Sequence, residues 1–202
     1  MSLFRSPVLV VDTETTGWVG QEWARVVELG AVLLHVDGTE AGAFGSLVQP
    51  DILDHRADPA LAVNQIARDA LAAAPPKEQV VDAFSFWLSY LGVPRPWVTS
   101  FNVAFDRPFL ERMGAHGHRW APCIMLRARA AMKHGAVEMG MARQAEKPRS
   151  VHGPSLARAA SHFEVPEAGE AHRAVADARR AAGVLCAIRR RELARWPPPS
   201  CP

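Results

Sequence analysis

Hydrophobic residues run without interruption from Val8 to Val11, and a second run, Val26 to Leu34, is broken only by Glu28 and Gly30. Unalternating runs rich in β-branched side chains predict strands covered on both faces. Asp37-Gly38 predicts a tight hairpin turn after the second run, with Ala43 to Val48 as the returning strand and Pro50 as its stop. The N-terminal part of the chain therefore reads as a three-stranded antiparallel meander at one edge of a sheet.

Beyond the meander the period changes from strand to helix. Asp51 to Ala74 is helical but broken, with short pieces over Pro59–Ile66 and Arg68–Ala73, and Pro75-Pro76 ends it. Val80, Val81, Phe84, Trp87, Leu88 and Leu91 recur at three- and four-residue steps, which predicts a helix with an aromatic core stripe, stopped by Gly92 and Pro94. Trp97 to Phe101 predicts a short strand feeding a helix over Ala104–Met113, with Pro108 in its first turn. A strand leading straight into a helix indicates an α/β architecture. Cys123–Met125 predicts a last short strand and Leu126–Lys133 a helix, whereas His134–Gly153 is polar and irregular, as in a long functional loop. Ser155 is placed to cap a helix over Leu156–Phe163, and a final amphipathic helix is expected over Arg173–Leu193, with Val175, Ala178, Ala182, Leu185 and Ile188 as its apolar stripe. Residues 1–194 read as one domain and 195–202 as a proline-rich, polyproline-like tail. No internal repeat is present.

Composition narrows the class without naming a function. A chain of 202 residues, 49% hydrophobic and 22% charged, can bury a full core without disulfides. Its 23 basic against 21 acidic residues, a formal net charge of +2, is too mild a balance to indicate a polyanionic partner by itself. Cys123, Cys186 and Cys201 are far apart and form no C-x-x-C pair, so neither a disulfide framework nor a zinc knuckle is expected and a reducing compartment fits. No apolar run reaches the ~18 residues of a membrane span, and a cytoplasmic location is the default expectation.

Charge appears where the first strand leaves the core. In Asp12-Thr13-Glu14-Thr15-Thr16-Gly17 the alternation of a strand puts Asp12 and Glu14 on one face, roughly 7 Å apart, with Thr13 on the other. Two such carboxylates beside an apolar core repel each other and lose hydration, a cost that a divalent cation would remove. The alternative is a solvated strand end closed by a Thr-Thr-Gly turn. Asp106 sits near the helix start after Phe101-Asn102, where outward-facing N–H groups favour anions; capping by Asn102 and a dipole role for Asp106 are the simpler reading. His172 and Asp177 are five residues apart, about 500° of helical rotation, so they cannot share one helix face. For both to serve one site, His172 must lie on the loop before the helix and lean back; otherwise it is a surface histidine.

The order D-x-E, N-x-x-x-D, H-x-x-x-x-D, each at a strand end or helix start, resembles the three exonuclease motifs of the DEDD superfamily. Histidine in the third motif resembles its DEDDh branch, the DnaQ-like 3′–5′ exonucleases, which include the proofreading ε subunit, ribonuclease T and oligoribonuclease. The resemblance spans about Val8 to Ala182. Phe101 departs from it, where relatives often carry histidine. The resemblance implies a ribonuclease-H-like mixed sheet, an antiparallel meander plus parallel strands, flanked by helices. It also implies two divalent cations, Mg²⁺ or Mn²⁺: Asp12 bridging both, Glu14 and Asp177 holding the ion that activates water, and Asp106 supporting the second. His172 would accept the water's proton, as an imidazole does near neutral pH. Nucleoside 5′-monophosphates would leave from the 3′ end.

Substrate contacts follow as expectations. Trp18 and Phe105 are candidates to stack terminal bases, against an exposed loop tryptophan and a core phenylalanine as alternatives. Thr15 and Asn102 are candidates to hydrogen-bond the terminal nucleotide. Arg143, Lys147 and Arg149 on the long loop, and Arg189-Arg190-Arg191 on the last helix, are candidates to attract phosphates. His116 and His118 read as surface. The expected partner is a single-stranded DNA or RNA 3′ end, with DNA slightly favoured; RNA trimming and a non-catalytic tethering module are the alternatives, and the presence of all five motif side chains argues against the latter. A polymerase partner would need a binding segment, for which the short tail is the one candidate, so a stand-alone enzyme is expected. No sequence feature declares an oligomeric state.

Overall fold

The first hydrophobic run becomes the central strand of a five-stranded sheet. In the computed structural model, residues 2–138, 153–167, 169 and 172–195 are described, the side chains of 134–138 excepted. Strand β1 (Val8–Thr15) lies between β2 (Val26–Leu34) and β4 (Trp97–Ser100), with β3 (Glu40–Leu47) and the two-residue β5 (Arg119–Trp120) at the edges. The β1–β2 and β2–β3 pairs are antiparallel and the β1–β4 and β4–β5 pairs parallel. This is the mixed sheet that the resemblance implies, beginning with the meander that the hydrophobic pattern predicts. All nine residues of β2 are buried, as expected of a strand covered on both faces.

Helices cover both faces. Alternation along β1 sends Val8 and Val10 into one core, with residues of α5 (Ile124–Glu138), α6 (Leu156–His162) and α7 (Ala174–Arg195), and sends Leu9 and Val11 into another, with residues of α3 (Lys77–Tyr90) and α4 (Val103–Met113). A smaller cluster joins Val27 to α1 (Asp58–Asn64) and α2 (Arg68–Ala72) through Leu61 and Leu71. Among the described residues no helix is long and apolar enough to cross a membrane.

Several boundaries differ from the sequence reading. The last strand is Arg119–Trp120, and Cys123–Met125 is not a strand: the Cys123 thiol and the Met125 N–H both donate to Phe101 O, and Ile124 opens α5 with its side chain fully buried. Three apolar residues are too few for periodicity to separate strand from helix. β3 begins at Glu40, three residues early, and α4 begins at Val103, so Pro108 lies inside that helix and not in its first turn. His118 packs edge-on to Phe84, 6.1 Å between ring centroids, and burial lowers its pKa, so it is not a free surface histidine. Ser155 caps α6 as expected, its hydroxyl accepting from Arg158 N. The loop residues Arg143, Lys147 and Arg149 and the tail from Trp196 onward lie outside the described residues.

Candidate active site

β1 does not stop at the acidic residues but carries them through to Thr15. Asp12 and Glu14 continue the face of Val8 and Val10, toward α7, while Thr13 faces α4 on the other side. Thr13 reaches Asp106 from there: its backbone N–H and its hydroxyl both donate to Asp106 Oδ1, at 3.1 and 2.9 Å. Asp106 is buried in the first turns of α4, which opens with the N–H groups of Phe105 and Asp106 donating to Asn102 O. Asn102 occupies the N-cap position, yet its side chain makes no capping hydrogen bond.

The third motif comes from α7. His172 precedes the helix in a left-handed conformation, φ 59°, and Asp177 is the helix's fourth residue. Glu14, His172 and Asp177 each bring a ligand atom into a group whose members all lie within 4.8 Å of one another. The leaning-back histidine required by the five-residue spacing is thus observed. Asp12 stands outside this triad, and of its carboxylate neighbours Asp106 acts on it most strongly.

Glycine is what lets α7 come so close. In the sheet register Asp12 pairs with Gly30, which pairs with Gly45. A Cβ on Gly30 would fall 2.1 Å from Ala174 C, and one on Gly45 would fall 2.4 Å from Val175 Cγ2. The row beside Asp12 is bare of side chains, and the helix start fills it.

Burial and crowding raise the pKa values of these acids. Burial, then Asp106, Glu14, Asp177 and Glu28, raise Asp12 well above the ordinary carboxylate value. Burial, then Asp177 and Glu28, push Glu14 up to about 7. Burial raises Asp106 to about 6 against the opposing hydrogen bonds from Thr13, and burial also raises Asp177. Four hard-oxygen donors with elevated pKa values and an adjacent imidazole fit a divalent cation such as Mg²⁺ or Mn²⁺ better than they fit each other.

Glu28 escaped the sequence reading. It lies directly opposite Glu14 across the β1–β2 pair, buried, and its carboxylate is bound by Arg173 and by Ala174 N at the start of α7. A glutamate inside a strand otherwise apolar on both faces was the available signal.

The expected substrate residues divide. Trp18 is 73% exposed and meets Phe105 edge-on, 6.0 Å between centroids, and Phe105 in turn packs on Phe109, so an aromatic step leads from solvent to the core beside Asp106. Thr15, expected to hydrogen-bond the terminal nucleotide, is buried and donates its hydroxyl proton to Gly17 O, which locks the turn that carries Trp18. A Cβ on Gly17 would fall 2.4 Å from Gln21 Oε1, the atom that accepts from Trp18 N, so a side chain there would disturb that bond. Arg189 is held by Leu3 O and Glu192, and Arg191 by His162 and Phe163, at the end of α7 away from Asp177.

The model of an exonuclease family typified by ribonuclease T matches residues 9–185. The chain belongs to this exonuclease family. No curated protein matches the chain in sequence. Among solved structures, the exonuclease domain is similar to cell-death related nuclease 4, with a TM-score of 0.65 at 14% identity over 98% of this chain and 67% of that one. It is similar to the nuclease domain of 3′hExo, a DEDDh family member bound to rAMP, at 0.67 and 16%, covering 95% and 93%. A 3′-exonuclease described in 3′-end specific recognition of histone mRNA stem-loop scores 0.70 at 14%, covering 92% of this chain and 64% of that one. At such identities the likeness speaks for the fold, the ribonuclease-H-like sheet of DEDDh exonucleases.

Proposed function

We propose that this exonuclease hydrolyses single-stranded nucleic acid from the 3′ end with two divalent cations, Mg²⁺ or Mn²⁺, and releases nucleoside 5′-monophosphates. The observation that carries the reading is the meeting of Glu14, His172 and Asp177 within 4.8 Å, with Asp12 and Asp106 on the next step inward. Asp12, Glu14, Asp106 and Asp177 would hold the cations, which when bound polarise the attacking water and offset the charge that builds on the phosphate.

The protein's own groups do the rest. His172 is exposed at the rim, next to Glu14 and Asp177, where its ring takes the proton of the attacking water and passes it to solvent. Thr13 fixes one oxygen of Asp106 by two hydrogen bonds. Trp18 and Phe105 offer faces and edges to the terminal bases, and the uncapped side chain of Asn102 is free to hydrogen-bond the terminal nucleotide. Residues 1–194 act as one exonuclease domain.

DNA is the first expectation, since nothing in the sequence calls for a 2′-hydroxyl. RNA is the second reading, favoured by the rAMP and the histone mRNA stem-loop named for two of the similar structures. The test uses 5′-labelled single-stranded DNA and RNA oligonucleotides with Mg²⁺ or Mn²⁺, with EDTA and Asp12→Ala as controls. A ladder shortening stepwise from the 3′ end and abolished by both controls is expected, and its relative rates assign the sugar preference. Intact oligonucleotides of both kinds with folded, metal-supplemented protein would overturn the proposal.

A further inference from the structure

Glu28 places a carboxylate in the interior of an apolar strand, 4% exposed and directly across from Glu14. Such a group has two possible employments: a further metal ligand, or a support for the residues that are ligands. Its hydrogen bonds distinguish them. Oε1 accepts from Arg173 Nε at 3.2 Å and Nη2 at 2.9 Å, and Oε2 accepts from Arg173 Nε at 3.2 Å and from Ala174 N at 3.1 Å. Both oxygens are engaged, by Arg173 just before α7 and by Ala174, its first residue. A carboxylate at a helix N-terminus is also favoured by the helix dipole and satisfies an N–H that the helix itself leaves open.

The two residues that Glu28 grips stand between His172 and Asp177 in the chain. Gripping Arg173 by its side chain and Ala174 by its backbone fixes the start of α7 in both position and direction, and Gly30, on the same sheet face, leaves room for that backbone. We propose that Glu28 is a positioning residue that latches the start of α7 to β2, so that His172 and Asp177 are presented to Glu14, and that it does not ligate metal. The latch rests on the exonuclease reading only for its kinetic consequence. Its structural consequence holds in the metal-free protein.

Glu28→Gln, Arg173→Met and the double variant test the latch by three readouts: amide hydrogen exchange over residues 174–177, Mn²⁺ affinity by titration, and kcat and KM on a single-stranded oligonucleotide. Glutamine keeps the shape but presents an NH₂ to one of the two donors. Each single variant is expected to speed exchange at Ala174 and the next turn about tenfold, to weaken Mn²⁺ binding by about tenfold, the lower end for a residue that orients ligands, and to lower kcat with KM little changed. The double variant should lose less than the two single losses added together, because both act on one device. Arg173→Lys, which keeps a charged donor, should recover part of the loss. Arg173 is 46% exposed in its side chain, so Arg173→Met carries the test even where Glu28→Gln fails to fold.

Weakened Mn²⁺ binding in Glu28→Gln with unchanged exchange over 174–177, and intact Mn²⁺ binding in Arg173→Met, would make Glu28 a ligand and overturn the latch. Unchanged exchange in both singles would overturn it as well. Exchange and Mn²⁺ titration report on the latch whether or not the wild-type protein shortens an oligonucleotide, so failure of the two proposals can be told apart.

Discussion

Thr13 gives both its backbone N–H and its hydroxyl to a single oxygen of Asp106, a residue 93 positions further along the chain. One residue of β1 thereby fixes an acid on the helix of the opposite layer, while its neighbours Asp12 and Glu14 face the other way.

Replacing Thr13 by valine keeps the shape and the backbone bond but removes the hydroxyl. Thr13→Val is expected to cost about 1–3 kcal/mol, as for other hydrogen bonds to a charged partner, and to lower kcat about tenfold by loosening Asp106. Thr13→Ser should stay close to wild type. Thermal unfolding and single-turnover rates measure both, and a valine variant as active as the serine variant would show that the hydroxyl bond is dispensable.

The acids of the site predict how stability follows pH. Unfolded, Glu14 and Asp106 titrate near 4.5 and 3.8; folded and metal-free, they titrate at about 7 and about 6. Between those values the folded chain keeps protons that the unfolded chain has lost, so stability falls as pH rises through the window. The midpoint temperature of the EDTA-treated protein should therefore decline from pH 5 to pH 8, and added Mg²⁺ should raise it more at pH 8 than at pH 5. A flat or rising metal-free midpoint would contradict the crowding described here.

Trp18 is 73% exposed and meets Phe105 edge-on. Trp18→Ala should raise KM for single strands about tenfold, in line with ~1–3 kcal/mol for a stacked base, and leave the midpoint temperature within about 2 °C. An unchanged KM would remove Trp18 from the substrate path.

Gly30→Ala tests the bare row of the sheet. The added methyl meets backbone atoms of Ala174 and Val175 at 2.1 to 2.4 Å, and backbone cannot swing aside as a side chain would. A loss of at least about 3 kcal/mol in urea unfolding is expected, with α7 displaced and activity gone. Gly92→Ala meets open space and only a positive φ, and should cost about 1 kcal/mol.

The elements that could be read from the chain are those whose signal is local. Val8–Val11 and Val26–Leu34 declared strands by unbroken hydrophobicity, and Ser155 declared a cap because the N–H it serves is three residues away. The motif residues Asp12, Glu14, Asp106, His172 and Asp177 were legible by type and order, and the structure brings them together. Glu28 was not, because the partner that explains it, Arg173, is 145 residues distant. The bond from the Thr15 hydroxyl to Gly17 O was also not read, although its partner is only two residues away, because turn geometry is not written in residue type alone. β5 was displaced because a two-residue edge strand has no period to detect.

Asp106 and Asp177 arrive at β1 from helices embedded in different cores, one on each face of the sheet. Synthesis from the N-terminus makes Asp12, Glu14 and Asp106 long before His172 and Asp177. A nascent chain can thus assemble the meander and α4 around an incomplete set of acids. The cluster is complete only when the last helix docks, so the order of residues along the chain sets the order in which the site is assembled.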